Sequence, residues 1–122
     1  MSKQQQEIRK AQKESYFHQE ISKLFLQITI DEPRLNGLFI NKVHLSSDGG
    51  TCVVLFLATN GRAEFEEKLP MLVLYKPSIR TALAKTSRGR YTPNLIFRYD
   101  EDYEKVEKIN RLLDKLKEEG KL

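Results

Sequence analysis

At 122 residues and 14.3 kDa the chain is the size of one domain with a single core, and its 39% apolar and 31% charged residues exclude wholesale disorder. No apolar run approaches the eighteen or so residues that cross a bilayer, and a start rich in Gln, Glu and Lys is unlike a signal peptide, so a cytoplasmic protein is expected. The net charge of +4 is modest, which makes its distribution along the chain the informative quantity.

From Gln4 to Ile28 the apolar residues Phe17, Ile21, Leu24, Phe25 and Ile28 recur at three and four positions, the spacing of one helix face. Pro33 ends that helix, since it restricts Glu32 and has no amide hydrogen, so Asp31 to Gly37 reads as a loop. Leu38 to Ser46 is rich in β-formers. Ser47, Asp48, Gly49 and Gly50 then supply a hairpin turn, and Thr51 to Ala58 forms the second strand. That strand is apolar in both alternating sets, Cys52, Val54, Phe56 and Val53, Leu55, Leu57, which predicts a central place with neither face freely wet. Asn60 and Gly61 end it.

Ala63 to Tyr75 carries Phe65, Leu69, Leu72 and Leu74 behind early acids that suit the positive end of a helix dipole, with Pro70 inside the pattern. Pro77 suits the first residue of a new helix running to about Thr86, so the expectation is helix, break, helix. Thr92 to Tyr99 reads as a third strand, Leu95, Phe97 and Tyr99 alternating with Asn94, Ile96 and Arg98. From Asp102 to about Glu118, Val106, Ile109, Leu112, Leu113 and Leu116 make an apolar stripe on a last amphipathic helix. Packing of that stripe onto its own sheet is the expectation; the alternative is a protein-interaction adaptor that lays it on a partner helix. Strands two and three, joined by a helical crossover, should run parallel. The result is a single α+β domain, 1–122, with a three-stranded mixed sheet.

The inventory for catalysis is thin. His18 and His44 belong to no metal-ligand spacing, Gly49 and Gly50 lack the Lys and Ser or Thr of a phosphate loop, and the adjacent Asp31 and Glu32 precede a proline in a solvated loop. Cys52 has no basic sequence neighbour to lower its pKa and reads as a core thiol. No enzymatic activity, metal or cofactor is expected. Charge segregation is the stronger signal: residues 68 to 99 hold Lys68, Lys76, Arg80, Lys85, Arg88, Arg90 and Arg98 and no acid. A surface tuned only for solubility would intersperse the signs, whereas Lys and Arg gathered against phosphates release counterions and bind RNA. Tyr75 and Tyr91 could stack on unpaired bases or pack on the core.

The order of elements is that of a type II KH-like domain. Together with Leu24-Phe25-Leu26-Gln27, Ile30-Asp31-Glu32-Pro33-Arg34-Leu35, Ser46-Ser47-Asp48 and the run Thr92-Pro93-Asn94-Leu95-Ile96-Phe97-Arg98-Tyr99-Asp100, the chain resembles the ribosome-binding factor A family over nearly its whole length. The resemblance implies a monomeric, non-catalytic factor that binds the immature small (30S) ribosomal subunit and its 16S rRNA near the neck. It further implies that the factor supports late maturation and rRNA processing and leaves before translation, with a releasing GTPase as a further partner. Carried across, the family's Pro-Arg turn falls on Pro33 and Arg34, and its basic helix-kink-helix surface falls on Lys76, Arg80, Lys85, Arg88 and Arg90. At the kink the family usually has Ala, any residue, then Gly, where this chain has Tyr75, Lys76 and Pro77; it also has no GxxG loop, so RNA contact must rest on side chains more than on Gly-rich amides.

Overall fold

The computed structural model describes residues 2–86 and 92–120. In chain order the elements are α1 (Lys3–Asp31), a 3-10 turn (Pro33–Leu35), β1 (Leu38–Leu45), β2 (Thr51–Ala58), α2 (Arg62–Val73), α3 (Lys76–Thr86), β3 (Asn94–Tyr99) and α4 (Glu101–Glu118). The Ser2 side chain caps α1 by accepting from Gln5 N–H at 3.2 Å. α1 runs three residues past the predicted end because Pro33 restricts only Glu32, whose backbone leaves the helix at φ −130°, ψ 84° while its N–H still reaches Ile28 O. Pro33 then opens the 3-10 turn within the predicted loop.

β1 and β2 form the expected hairpin. Asp48 Oδ1 accepts from Ser46 Oγ at 2.7 Å and from Gly50 N–H at 2.8 Å, while Gly49 takes the positive φ of 74° that such a turn demands. The sheet order is β1-β2-β3, antiparallel then parallel, with a bulge in β1 between Ile40 and Lys42. β2 is therefore central, and β3 is an edge strand. Gly37, at φ 100°, turns the chain into β1; a Cβ there would lie 2.5 Å from Glu64 Oε2.

The buried face of the sheet comes from Leu38, Val43 and Leu45 of β1, Cys52, Val54 and Phe56 of β2, and Leu95 and Phe97 of β3. Onto it pack Ile21, Phe25 and Ile28 of α1, Phe65 and Leu72 of α2, and Ile79 and Leu83 of α3. Phe56 is the hub, with ring centroids 5.5 Å from Phe25, 5.7 Å from Phe65 and 5.4 Å from Phe97. The outer set of β2, Val53, Leu55 and Leu57, is half-buried, and no described helix layer covers it.

The break between α2 and α3 falls where two prolines weaken the helical ladder. Pro70 leaves the Glu66 carbonyl without its usual donor, and Pro77 cannot donate to Val73. The chain tightens instead: Leu74 N–H bonds Met71 O at 3.2 Å and Tyr75 N–H bonds Leu72 O at 3.0 Å. α3 starts one residue before Pro77, on a bond from Ile79 N–H to Tyr75 O.

α4 corrects one expectation, that its stripe packs onto its own sheet. It buries no residue; Val106, Ile109, Leu112 and Leu113 are each 46–58% exposed. The reason lies at its first turn. Asp100, 3% exposed, is the single residue between β3 and α4; its Oδ1 accepts from Tyr103 N–H at 3.0 Å and its Oδ2 from Asn41 Nδ2 at 2.8 Å. With the cap anchored in the sheet and no linker, the helix cannot fold back across the outer face.

Candidate nucleic-acid interface

The candidate site is built on the free edge of β3. Asn94 N–H donates to Gly50 O and Asp100 N–H to Phe56 O, the two ends of the parallel ladder. With a period of two, residues 94, 96, 98 and 100 bond to β2, which turns the backbone N–H and C=O groups of Leu95, Phe97 and Tyr99 to the open edge. α2 lies alongside this edge, and between them runs an open groove of about 410 Å³ with an apolar floor of Phe65, Leu69, Phe97 and Tyr99.

Two of the predicted cations line this edge. Lys76 Nζ lies 5.1 Å from the centroid of the Phe97 ring, a cation–π contact on β3. Arg80, one helical turn on, donates from Nε to Pro93 O at 3.2 Å and from Nη2 to Thr92 O at 3.3 Å. The guanidinium is thus fixed beside the start of β3, with the rest of its five N–H donors left for an anion. Arg98 joins them from β3 itself, exposed and on the outer sheet face, level with Leu55 and Lys42. Sequence reading counted Arg98 in the basic tract without placing it at the site, although its alternation with Leu95, Phe97 and Tyr99 was the available signal.

The remaining predicted residues lie elsewhere. Lys85, exposed, is nine residues beyond Lys76, half a revolution round α3 at 100° per residue, and its side chain bonds to no described residue. Arg34 lies at the 3-10 turn, where its Nε meets Glu32 Oε1 at 2.6 Å and its Nη2 meets Glu32 Oε2 at 2.9 Å. That bidentate pair holds the Glu32 carboxyl below its usual range and raises the guanidinium, with Tyr75 at the helix break close enough to add to the effect. Tyr75 itself is half-buried against the core. Arg88, Arg90 and Tyr91 lie outside the described residues.

The far end of the groove has mixed charge. Arg62 bonds Glu66 Oε1 at 2.8 Å and also Glu101, and Arg62 and Arg98 share the lining with Glu66, Asp100, Glu101 and Asp102, so the positive character of Lys76 and Arg80 lies along the β3 edge outside the groove lining. Among the described residues no three His, Cys, Asp or Glu side chains gather as a metal set, and none of the described helices is long and apolar enough to cross a membrane. His44 Nδ1 lies 3.7 Å from Glu14 Oε2, and that carboxylate also accepts from Leu45 N–H at 2.7 Å, which ties α1 to β1. Cys52 is fully buried, as read from its neighbours; burial, with the nearby Glu14 carboxylate, pushes its thiol up to about 12.

Comparison with known proteins gives this arrangement a family. Residues 9–113 match the family model described as ribosome-binding factor A. Among similar proteins, the ribosome-binding factor A of Syntrophomonas wolfei is 34% identical over 98 residues, covering 79% of this chain and 80% of its own. That of Halothermothrix orenii is 31% identical over 100 residues, covering 82% and 81%. The crystal structure of ribosome-binding factor A from Thermus thermophilus superposes with a TM-score of 0.61 at 28% identity, over 72% of this chain and 92% of that one. The fold is α+β and KH-like, and with 105 of its residues inside the matched span the chain belongs to the ribosome-binding factor A family.

Proposed function

We propose that this protein is a non-catalytic, cytoplasmic assembly factor that binds the immature small (30S) ribosomal subunit. In this reading it contacts 16S rRNA and supports late maturation and rRNA processing before it is released. The observation that carries the reading is the coincidence of an acid-free stretch, residues 68 to 99, with an open sheet edge flanked by Lys76, Arg80 and Arg98. Phosphates would meet the cations, and unpaired bases could use the edge amides of Leu95, Phe97 and Tyr99, the kind of single-stranded contact that gives RNA recognition its specificity. Lys85, Arg88 and Arg90, which continue the basic tract in sequence, and Arg34 of the 3-10 turn complete the proposed set of RNA-contacting cations.

Co-sedimentation tests the reading. Purified protein should pellet with small subunits taken from cells that lack it, more than with mature ones, and should be stripped by raising the salt. Binding indifferent to salt, and unchanged when Lys76, Arg80 and Arg98 are replaced by Glu, would remove the RNA surface. Accumulation of unprocessed rRNA precursor in those cells, reversed by the parent chain and not by the Glu variants, is the expected cellular counterpart.

A further inference from the structure

The core-facing side of α1 changes chemistry along its length. Stepping back from Ile28 by three or four residues gives Phe25, Ile21 and Phe17, all packed on the core, and then Lys13, Lys10, Gln6 and Lys3. The line on the helix is the same throughout; what changes is that the sheet has ended. Leu45 N–H, at the end of β1, donates to Glu14 Oε2 at 2.7 Å, and every residue from Lys3 to Lys13 is exposed. Three turns of α1 therefore overhang the β1–β2 hairpin, with a row of cations about 15 Å long on the side that faces the domain lower down. We infer that this overhang is a second RNA contact, an arm that holds the phosphate backbone of a double-helical segment; the inference rests on the RNA-binding reading above.

The charge pattern of the arm is inverted. A surface helix ordinarily turns its charges away from its domain. Here the outward side, Gln4, Gln5, Ile8, Ala11 and Gln12, carries none, while Lys3, Lys10 and Lys13 lie on the inward line with Arg9 beside them. Glu7 is the single acid of residues 3–13. It stands four residues from Lys3 and three from Lys10, yet among the described residues none of the four cations makes an ion pair. The acids at the root of the arm are engaged: Glu14 with Leu45 N–H and His44, and Asp48 of the hairpin with Ser46 Oγ and Gly50 N–H.

The row also selects its ligand. With no apolar residue among Lys3, Gln6, Lys10 and Lys13 it can neither insert into a lipid surface nor seat the apolar centre of a protein interface; Ile8 and Tyr16, 51% and 37% exposed, stand singly on the other side. With no aromatic ring in it, the row cannot stack unpaired bases, so it suits phosphates alone, which a duplex holds in a regular line. The bond from Asn94 N–H to Gly50 O brings the start of β3, and with it Arg80, to the same hairpin end of the sheet. A duplex on the arm would thus lead its unpaired continuation toward the β3 edge, and the ligand is a junction of double-stranded and single-stranded RNA.

Fluorescence anisotropy on the full chain with three probes tests this: a blunt RNA hairpin, an unpaired strand, and the same hairpin with that strand as a tail. The tailed hairpin should bind more tightly than either part. Lys3→Gln, Lys10→Gln and Lys13→Gln together should weaken blunt-hairpin binding at low salt by more than about tenfold and shallow its slope of log K against log salt by about 2 to 3. The same variant should leave the unpaired strand and the thermal melt unchanged, because residues 3–13 are exposed. Lys23→Gln, at an exposed cation further along α1, is the control and should change neither probe. Hairpin binding that survives the triple substitution overturns the inference, and an equal loss on the unpaired strand overturns the duplex assignment. A triple variant that loses binding to anionic phospholipid vesicles but not to the hairpin overturns it in favour of a membrane surface. If co-sedimentation with small subunits needs Lys76 and Arg80 but is indifferent to the triple substitution, the arm fails and the assembly-factor reading stands; if the parent chain binds none of the RNAs, both fail.

Discussion

The salt dependence of RNA binding gives the sharpest prediction about the β3 edge. Each cation that neutralises a phosphate on a single strand contributes about 0.7 to the slope of log K against log salt. Lys76, Arg80 and Arg98 together therefore predict a slope near −2, so a threefold rise in potassium chloride should weaken binding about tenfold. The test is fluorescence anisotropy on a labelled single-stranded segment of small-subunit rRNA across a salt series. Lys76→Gln should shallow the slope by about 0.7. Arg80→Gln should do the same and also lower stability by about 1 kcal/mol, since its bonds to the Thr92 and Pro93 carbonyls are long and partly solvated. Adding Lys85→Gln to the Lys76→Gln, Arg80→Gln pair measures the opposite side of α3 independently. A slope that stays put when both Lys76 and Arg80 are neutralised would refute the edge as the phosphate-binding surface.

Three further outcomes follow from the same structure. Phe97→Leu keeps every charge but removes the ring beneath Lys76, so RNA affinity should fall about two- to fivefold with the salt slope unchanged, while loss of packing on Phe56 shows as a lower melting temperature. Gly37→Ala should destabilise the fold by about 1–2 kcal/mol in urea titration, combining a positive-φ backbone with a clash against the Glu64 carboxylate. For Cys52 the folded thiol keeps its proton to about 12 while the unfolded one ionises from the ordinary 9.0. Its contribution is complete below pH 9 and shrinks as pH rises through this window, by up to about 1.4 kcal/mol per pH unit. That loss should appear as the difference between parent and Cys52→Ala stability curves, and thiol reagents should label the parent only on unfolding.

The parts of the fold that announce themselves in sequence are those set by local chemistry. β2 begins and ends where expected because Gly49, Gly50, Asn60 and Gly61 punctuate it, and its central place follows from two apolar alternating sets. The site was only partly legible for a geometric reason. A run of cations names a charge density, but a helix distributes it: Lys76 and Arg80, four apart, share a flank, while Lys85, five beyond Arg80, turns well away. The groove was hidden because it needs α2 beside an edge strand, which no local pattern encodes. Amphipathicity of α4 showed that something must cover the stripe; what excluded the domain's own sheet was the Asp100 cap, a tertiary contact with Asn41.

On the proposed reading, Lys76 and Arg80 would let a surface without a Gly-rich backbone loop hold RNA. A flexible cation loses rotamer freedom on binding, which offsets much of its attraction to phosphate. Here that ordering is already present in the free protein. The Lys76 ammonium rests over the Phe97 ring, and the Arg80 guanidinium is tied to two strand carbonyls. Both anchors belong to the same edge whose amides stay unpaired, so charge and hydrogen-bonding groups are held in fixed register along β3. The α2–α3 break made by Pro70 and Pro77 is what sets α3 at the angle from which Arg80 reaches Thr92 and Pro93. On the proposed reading, a proline break and two tethered cations would do the positioning that glycine amides do elsewhere, a pre-ordering that untethered charge does not supply.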